Sequence, residues 1–383
     1  MQFNQFDPAA FLRDYWQKQP LLIRNPWRQW TNPLEPDELA GLALEDGVES
    51  RLVVHGAAGL TLEHGPFGED RFERLGETPW TLLVQAVDQH DPAVAALIEP
   101  FRFIPSWRID DVMVSYASDG GGVGPHFDQY DVFLVQGAGR RRWQVGPLCG
   151  ANSPLLPHAD LRLLAEFEPS EEWILEAGDI LYLPPGLAHN GVAIGDGCMT
   201  YSVGFRAPAR SELIAQWCDH VLAAEADDIH YRDPDLALQA NPGEITPAAL
   251  AELQRLTVER LLDPASFARW FGQYNTTPKY PEIDWSLPQP LTLAEVTAMA
   301  AAGVPLCRNP ASRFAFTATA KGDVLLFVDG QCFDCAAAAA DFARALCAQD
   351  SPPLPAEMSR PGACAELLLA LCNQGSVAFD EED

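Results

Sequence analysis

The stretch GPHFDQYDVF, residues 124–133, reads as the opening of a β-strand, yet it carries an imidazole and a carboxylate two positions apart. Side chains alternate across a strand, so His126, Asp128 and Tyr130 are expected on one face and Phe127 and Gln129 on the other. Charged or titratable groups on a face that should be buried need a partner. One follows in GDILYLPPGLAHNG, residues 178–191, where a strand closes on Pro-Pro-Gly and His189 stands at the mouth of the next strand. Two histidines and one carboxylate with coordination positions left open are the facial triad expected of non-haem Fe(II) oxygenases. An HxD pair alone is weak, and the argument rests on its conjunction with the distal histidine in a strand-rich block. His55, His64, His90, His158, His220 and His230 have no comparable setting and read as surface or satisfied core residues.

The strand-rich block runs over residues 104–206, through DDVMVSYAS, QYDVFLVQG, RRRWQVG, EEWILEAG, DILYLPPG and MTYSVGFRA, separated by Gly, Pro and Asp clusters. Many short strands with turn signals indicate a barrel or sandwich. The Gly137–Gly139 segment predicts a hairpin. Beyond it Arg141 and Trp143 share one face, with Arg140 and Arg142 on the other. An inward arginine beside a metal site is costly unless it meets an anion, whereas Arg140 and Arg142 read as solvated. In DDVMVS, the residues Asp111, Met113 and Ser115 face one way with Val112 and Val114 behind them, a poor core face but a suitable pocket wall. Asp111 as a local turn cap and Met113 as filler are the plainer alternatives. The glycines at 120–122 read as backbone freedom at a pocket mouth and lack the spacing of a phosphate loop.

Outside this block the texture changes. Asp7 and Pro8 mark a helix start, with Phe11, Leu12, Tyr15 and Trp16 at helical spacing and Trp16 read as core. LTLEHG and a helical TPWTLLVQAVDQ continue the N-terminal part. Residues 208–275 read as helices, with Ser211 and Thr246 as candidate caps and Leu250, Leu253, Leu256 and Leu261 giving an apolar face for another helix or a second copy of the chain. The Pro-rich TTPKYPEIDWSLPQPLT reads as a linker to a small α+β unit with a helix from Leu293, strands around RFAFTAT and DVLLFVDGQCF, and two Ala/Leu-rich helices.

The formal charge of -29 disfavours nucleic acid and anionic lipid as partners and favours a basic protein or peptide. From Glu282 onward 14 acidic residues face 5 basic ones, which argues against DNA contact by the C-terminal unit. No signal peptide or membrane span is apparent. Nine scattered cysteines fit a reducing, cytoplasmic setting, and Cys332 and Cys335 read as an incidental CxxC without a second pair.

HFD, GDILYLPPGLAHNG and GAGRRRWQVG resemble the cupin-type core of JmjC oxygenases. FLRDYWQKQPLLIRN, DELAGLA, SRLV, HGPF, WTLLVQAV, WRIDDVMVS, GGGVGPHFDQYDVF and YSVGFRAP extend the resemblance to bacterial ribosomal oxygenases of the YcfD type, densely over 11–210 and thinly beyond. This implies an α+β chain with an oxygenase domain in 1–207, made of an N-terminal α/β elaboration and a double-stranded β-helix core at about 104–206, then a helical dimerisation region in 208–275 and a winged-helix-like domain in 276–383. It implies Fe(II) held by His126, Asp128 and His189, and 2-oxoglutarate and dioxygen as co-substrates. It places Arg141 and Ser115 at the far carboxylate of 2-oxoglutarate, and Asp111, Met113 and Tyr130 around the substrate side chain. Thr200 and Ser202 are further candidates for the co-substrate, with the choice between them open. The implied reaction is hydroxylation of the β-carbon of an arginine on a loop of a basic protein of the large ribosomal subunit, its sixteenth, by a homodimer. A ribosomal histidine hydroxylase, a JmjC demethylase, a small-molecule cupin dioxygenase or isomerase and an inactive binding module are the competing readings.

Overall fold

The computed structural model describes residues 1–57, 59–158, 160–225 and 228–380. The chain divides into two units, Met1–Ala207 and Pro208–Asp383.

The first unit opens with helix α1 (Pro8–Asp14), whose Asp7 carboxylate accepts from the Ala9 and Ala10 N–H groups and so satisfies two of the donors that a helix start leaves orphaned. Strand β1 (Leu21–Ile23), helix α2 (Pro36–Leu42), strands β2 (Ser50–Gly56) and β3 (Gly59–His64), helix α3 (Glu69–Glu73), strand β4 (Trp80–Val84) and helix α4 (Pro92–Ala95) follow. Then come β5 (Ile109–Ala117), β6 (Val132–Leu148), β7 (Glu171–Leu175), β8 (Ile180–Leu183) and β9 (Leu187–Phe205). The strands pair in the order β1-β8-β6-β9-β5-β4-β2-β3, with β7 also paired to β6.

Alternation gives this sheet two different faces. On one, Val112, Val114, Phe133, Val135, Tyr201 and Val203 join Phe11, Phe101 and Tyr182 in the main core. On the other, a smaller cluster of Val132, Leu134, Trp143, Val145, Leu175, Leu181 and Leu183 underlies the candidate site. The apolar core face fits the rule that half-buried strands bury every second residue.

Four expectations are corrected here. TPWTLLVQAVDQ is not a helix: Trp80–Val84 is strand β4, paired with both β2 and β5. A short apolar run fits either period, and tertiary pairing decided it. The glycines at 137–139 make no hairpin, because β6 runs straight through them and pairs with β9 on both sides, with register shifts between Gln136 and Arg140 and a left-handed Gly139 at φ 63°. This is bulge geometry, in which an unpaired extra residue bends the strand without reversing it. Residues 124–131 are an irregular segment rather than a strand, with bends at Pro125, Gln129 and Tyr130, and are tied to β9 by a single bridge between His126 and His189. Gly121 and Gly122 serve close packing more than freedom, since an added Cβ would run into the Trp80 and Gly191 carbonyl oxygens.

The second unit contains helices α5 (Arg210–Ala224), α6 (Pro247–Val258), α7 (Pro264–Thr276) and α8 (Leu293–Ala302), then strands β10 (Leu306–Arg308), β11 (Phe314–Ala318), β12 (Val324–Val328) and β13 (Gln331–Cys335). Helices α9 (Ala338–Ala348) and α10 (Ala363–Asn373) and strand β14 (Val377–Phe379) complete it. Thr246 caps α6 through Ala249 N–H, but α5 starts after Ala209 with Ser211 already inside the helix. Phe342, Leu346, Leu368 and Leu371 pack with Val324, Leu326 and Val328 in its core. The Pro-rich segment is anchored rather than loose, because Leu291 N–H and C=O both bond the Asn373 amide on α10. Cys332 and Cys335 are an odd number of residues apart on β13 and so face opposite ways, which prevents joint chelation. Among the described residues no helix is long and apolar enough to cross a membrane.

Candidate metal and co-substrate site

His126 and His189 are brought together by backbone before side chains are considered. Each donates its N–H to the other's carbonyl, at 3.0 and 2.8 Å, and Gly186 N–H of the Pro-Pro-Gly turn donates to Asp128 C=O at 2.6 Å. The turn therefore pins the carboxylate's backbone while β9 carries His189 past it. His126, Asp128 and His189 offer ligand atoms that all lie within 4.8 Å of one another.

Hydrogen bonding fixes how the rings face. His126 Nδ1 lies 2.9 Å from Gly124 C=O, and His189 Nδ1 lies 2.9 Å from Leu187 C=O. A carbonyl only accepts, so both Nδ1 atoms carry a proton, which leaves Nε2 as the lone-pair nitrogen of each ring in its neutral, metal-binding form. Burial, with neighbouring His126 adding to it and Asp128 opposing it, pushes His189 below the usual imidazole range and favours its neutral form. The two Nε2 atoms stand 4.0 and 3.6 Å from Asp128 Oδ2, too far for a hydrogen bond. Three converging acceptors without a proton between them suit a cation, and the backbone carbonyls behind them are the supporting contacts that metal-binding histidines require. The residues present thus fit a divalent metal.

Beyond the bulge, Arg141, Trp143 and Val145 of β6 pair across to Ala193, Gly191 and His189 of β9, so the four-residue step from Val145 to Arg141 runs along the face that carries His189. Arg141 is 4% exposed, and its Nε and Nη2 atoms have no hydrogen-bond partner. The guanidinium lies 5.8 Å from the Trp143 ring centre, which offsets little of the cost of a buried charge. An orphaned guanidinium fork on the metal face matches a carboxylate ligand. Arg140 and Arg142 are exposed, as expected.

Residues 96–213 match a JmjC domain and residues 257–378 a ROXA-like winged helix. The sequence is 45% identical over 280 residues to the ribosomal protein uL16 3-hydroxylase of Escherichia coli, covering 73% of this chain and 74% of that protein. The chain belongs to the JmjC ribosomal oxygenases. The crystal structure of E. coli YcfD superposes with a TM-score of 0.90 at 37% identity, over 99% of this chain and 100% of that one. A second YcfD structure, in complex with cobalt and 2-oxoglutarate, matches with a TM-score of 0.85 at 36% identity over 99% of both chains. The expected JmjC core and winged helix are borne out.

The remaining residues of this ribosomal oxygenase fall as follows. Ser115 is buried opposite Thr200, and Met113 is opposite Ser202, so both Thr200 and Ser202 share the face of Asp111, Met113 and Ser115. Thr200 Oγ1 donates to Gln136 Oε1 at 3.3 Å. Asp111 Oδ2 accepts from Gln85 Nε2 at 2.7 Å and Ala86 N–H at 3.0 Å. Tyr130 is 42% exposed, and partial desolvation, with Asp128 and Asp111 adding to it, raises its phenol above the usual range. Arg51, Gln85 and Trp143 also stand at the site and escaped the sequence reading as site residues. Had WTLLVQAV been read with period two, Thr81, Leu83 and Gln85 would have fallen on one face.

Proposed function

We propose that the protein is an Fe(II)- and 2-oxoglutarate-dependent dioxygenase that hydroxylates the β-carbon of an arginine in large-subunit ribosomal protein uL16. The observation that carries this reading is the convergence of His126, Asp128 and His189 on one point, with the partnerless Nε and Nη2 atoms of Arg141 on the same sheet face. The E. coli relative's name specifies uL16 and position 3, which is the β-carbon of an amino acid.

His126, Asp128 and His189 would hold the metal, which with 2-oxoglutarate and dioxygen supplies the oxidising power to place one oxygen atom in a C–H bond. Arg141 binds the distal carboxylate of 2-oxoglutarate through its fork, with Ser115 beside it and Thr200 on the adjoining strand. The chain's remaining task is positioning, because a strong oxidant attacks whichever C–H bond is held nearest. Asp111 receives the substrate guanidinium, and Met113 and Tyr130 flank its alkyl stem. The Asp111 carboxylate has no such use for a neutral imidazole, which favours arginine over histidine as the target.

The surroundings support a basic protein partner in the cytoplasm: the chain carries a formal charge of -29, and ribosomal assembly takes place there. Homodimerisation through the second unit's helices is supported by Leu250 and Leu253 on α6, which remain 54% and 41% exposed. A monomeric mass by light scattering at micromolar concentration rejects it. The acidic C-terminal sequence supports the absence of direct nucleic-acid binding.

The deciding experiment is mass spectrometry of uL16 incubated with the protein, Fe(II), 2-oxoglutarate and air, against a control without 2-oxoglutarate. One added oxygen on an arginine is the expected result. Oxygen on a histidine, loss of a methyl group from lysine, or turnover of 2-oxoglutarate with no change in any ribosomal protein each replaces the proposed substrate.

A further inference from the structure

A resident arginine stands on the same sheet face as the substrate-facing residues. Arg51 of β2 pairs across to Leu83 of β4, and Leu83 pairs across to Ser115 of β5, so alternation sets Arg51 on the face of Asp111, Met113 and Ser115. Its Nη2 donates to Gln85 Oε1 at 3.0 Å and lies 3.8 Å from Met113 Sδ. Gln85 Nε2 then donates to Asp111 Oδ2 at 2.7 Å, and the same oxygen accepts from Ala86 N–H at 3.0 Å.

This chain of bonds has only one polarity. A guanidinium has no acceptor and an ionised carboxylate no donor, so an amide between them must turn its oxygen to Arg51 and its nitrogen to Asp111. Without Arg51 the Gln85 amide is free to rotate, and its oxygen would repel the carboxylate it now holds. The backbone adds a second restraint: Ala86 is left-handed, with φ 52° and ψ 38°, a conformation that non-glycine residues adopt only when their surroundings impose it. That conformation accompanies the aim of Ala86 N–H at Asp111. Asp88, in the same corner, accepts from Val112 N–H at 2.7 Å and so ties the corner to the strand that carries Asp111 and Met113.

We infer that Arg51 and Gln85 are positioning residues for substrate specificity: they clamp the Asp111 carboxylate in the orientation that receives a cationic side chain. The inference rests on the proposed arginine hydroxylation. In this arrangement Arg51 serves as the far end of a bracket and does not itself contact the reacting atoms. A lysine in its place retains a donor for Gln85 but lacks the planar fork.

The test uses the full chain loaded with iron and a uL16-derived peptide carrying the target arginine, beside the same peptide with neutral citrulline. The wild type should hydroxylate the arginine peptide, and failure there defeats the underlying reading whatever the variants do. Arg51→Leu and Gln85→Leu should raise the peptide KM by about tenfold while leaving the 2-oxoglutarate KM within about twofold, since the clamp touches one substrate only. Calorimetric binding to the metal-free protein should show the preference for arginine over citrulline shrinking in parallel. Gln85→Glu matches the native residue in size and sets a second carboxylate against Asp111, so its peptide KM should rise at least as much. Arg51→Lys should recover most of the loss. Variants that keep the wild-type preference for arginine, or whose two KM values rise together, overturn the inference.

Discussion

Val112, Val114, Phe133, Val135, Tyr201 and Val203 line one face of strands β5, β6 and β9, while Asp111, Ser115, Gln136, Arg141 and Thr200 line the other. Both sets are buried. Exposure to solvent therefore does not separate scaffold from site in this protein. The separation lies in chemistry: the core side consists of hydrocarbon and rings packed together, and the site side carries polar groups that are paired at Asp111, Gln136 and Thr200. At Arg141 the Nε and Nη2 atoms have no partner. Burying an unpartnered donor costs stability, and a fold keeps such a group where a ligand completes it.

Substitutions on the two faces should thus fail in different ways. The largest expected effect is Asp128→Ala, which removes one of the three converging donors. Metal affinity should fall by more than the ~100-fold attributed to loss of a supporting contact, with hydroxylation at background and the thermal midpoint of the metal-free protein nearly unmoved. Metal analysis of the purified variant checks it. On the core face Phe133→Ala should cost ~3–5 kcal/mol in denaturant unfolding, with metal binding retained by whatever fraction stays folded. If the Phe133 variant lost metal binding while still folded, the division between the faces would break down. The smallest and most telling effect is Arg141→Met. Replacing an orphaned buried charge by hydrocarbon should stabilise the metal-free, ligand-free protein by ~1–3 kcal/mol and remove 2-oxoglutarate-dependent turnover. Addition of 2-oxoglutarate with a divalent metal should raise the melting temperature of the wild type and leave that of the variant where the metal alone puts it. A destabilised variant would show that Arg141 already has an adequate partner in the resting protein.

The sequence carried much of this because alternation is local. Asp111, Met113 and Ser115 could be assigned to one face of their strand, and Arg141 to the face opposite Arg140 and Arg142 on its own, without knowing which strands were neighbours. His126, Asp128 and His189 were legible from chemistry alone, although the stretch around His126 proved to be an irregular segment rather than a strand. What stayed hidden depended on partners distant in the chain. Trp80–Val84 becomes a strand because β2 and β5 flank it, and reading it as a helix concealed Gln85 and Arg51 together. The tight packing of Gly121 and Gly122 likewise depends on carbonyl oxygens from Trp80 and Gly191, which no local pattern announces. Thr200 and Ser202 share a face by spacing, but only the register opposite Ser115 and Met113 shows which face it is.

The bulge near Gly139 behaves like a frameshift in a strand. Before it the even-numbered residues Val132, Leu134 and Gln136 face the site, and after it the odd-numbered residues Arg141, Trp143 and Val145 do. Pairing β6 regularly through this segment at unchanged length, with no bulge, would set Arg141 an odd number of residues from Gln136 and exchange the faces of every residue on one side of it. Arg140 and Arg142 would then turn inward, and Arg141 would turn out to water. The protein's choice of which arginine of three meets an anion is thus set by the count of residues in a short glycine-bearing segment, and the arginines themselves are interchangeable until that count is made.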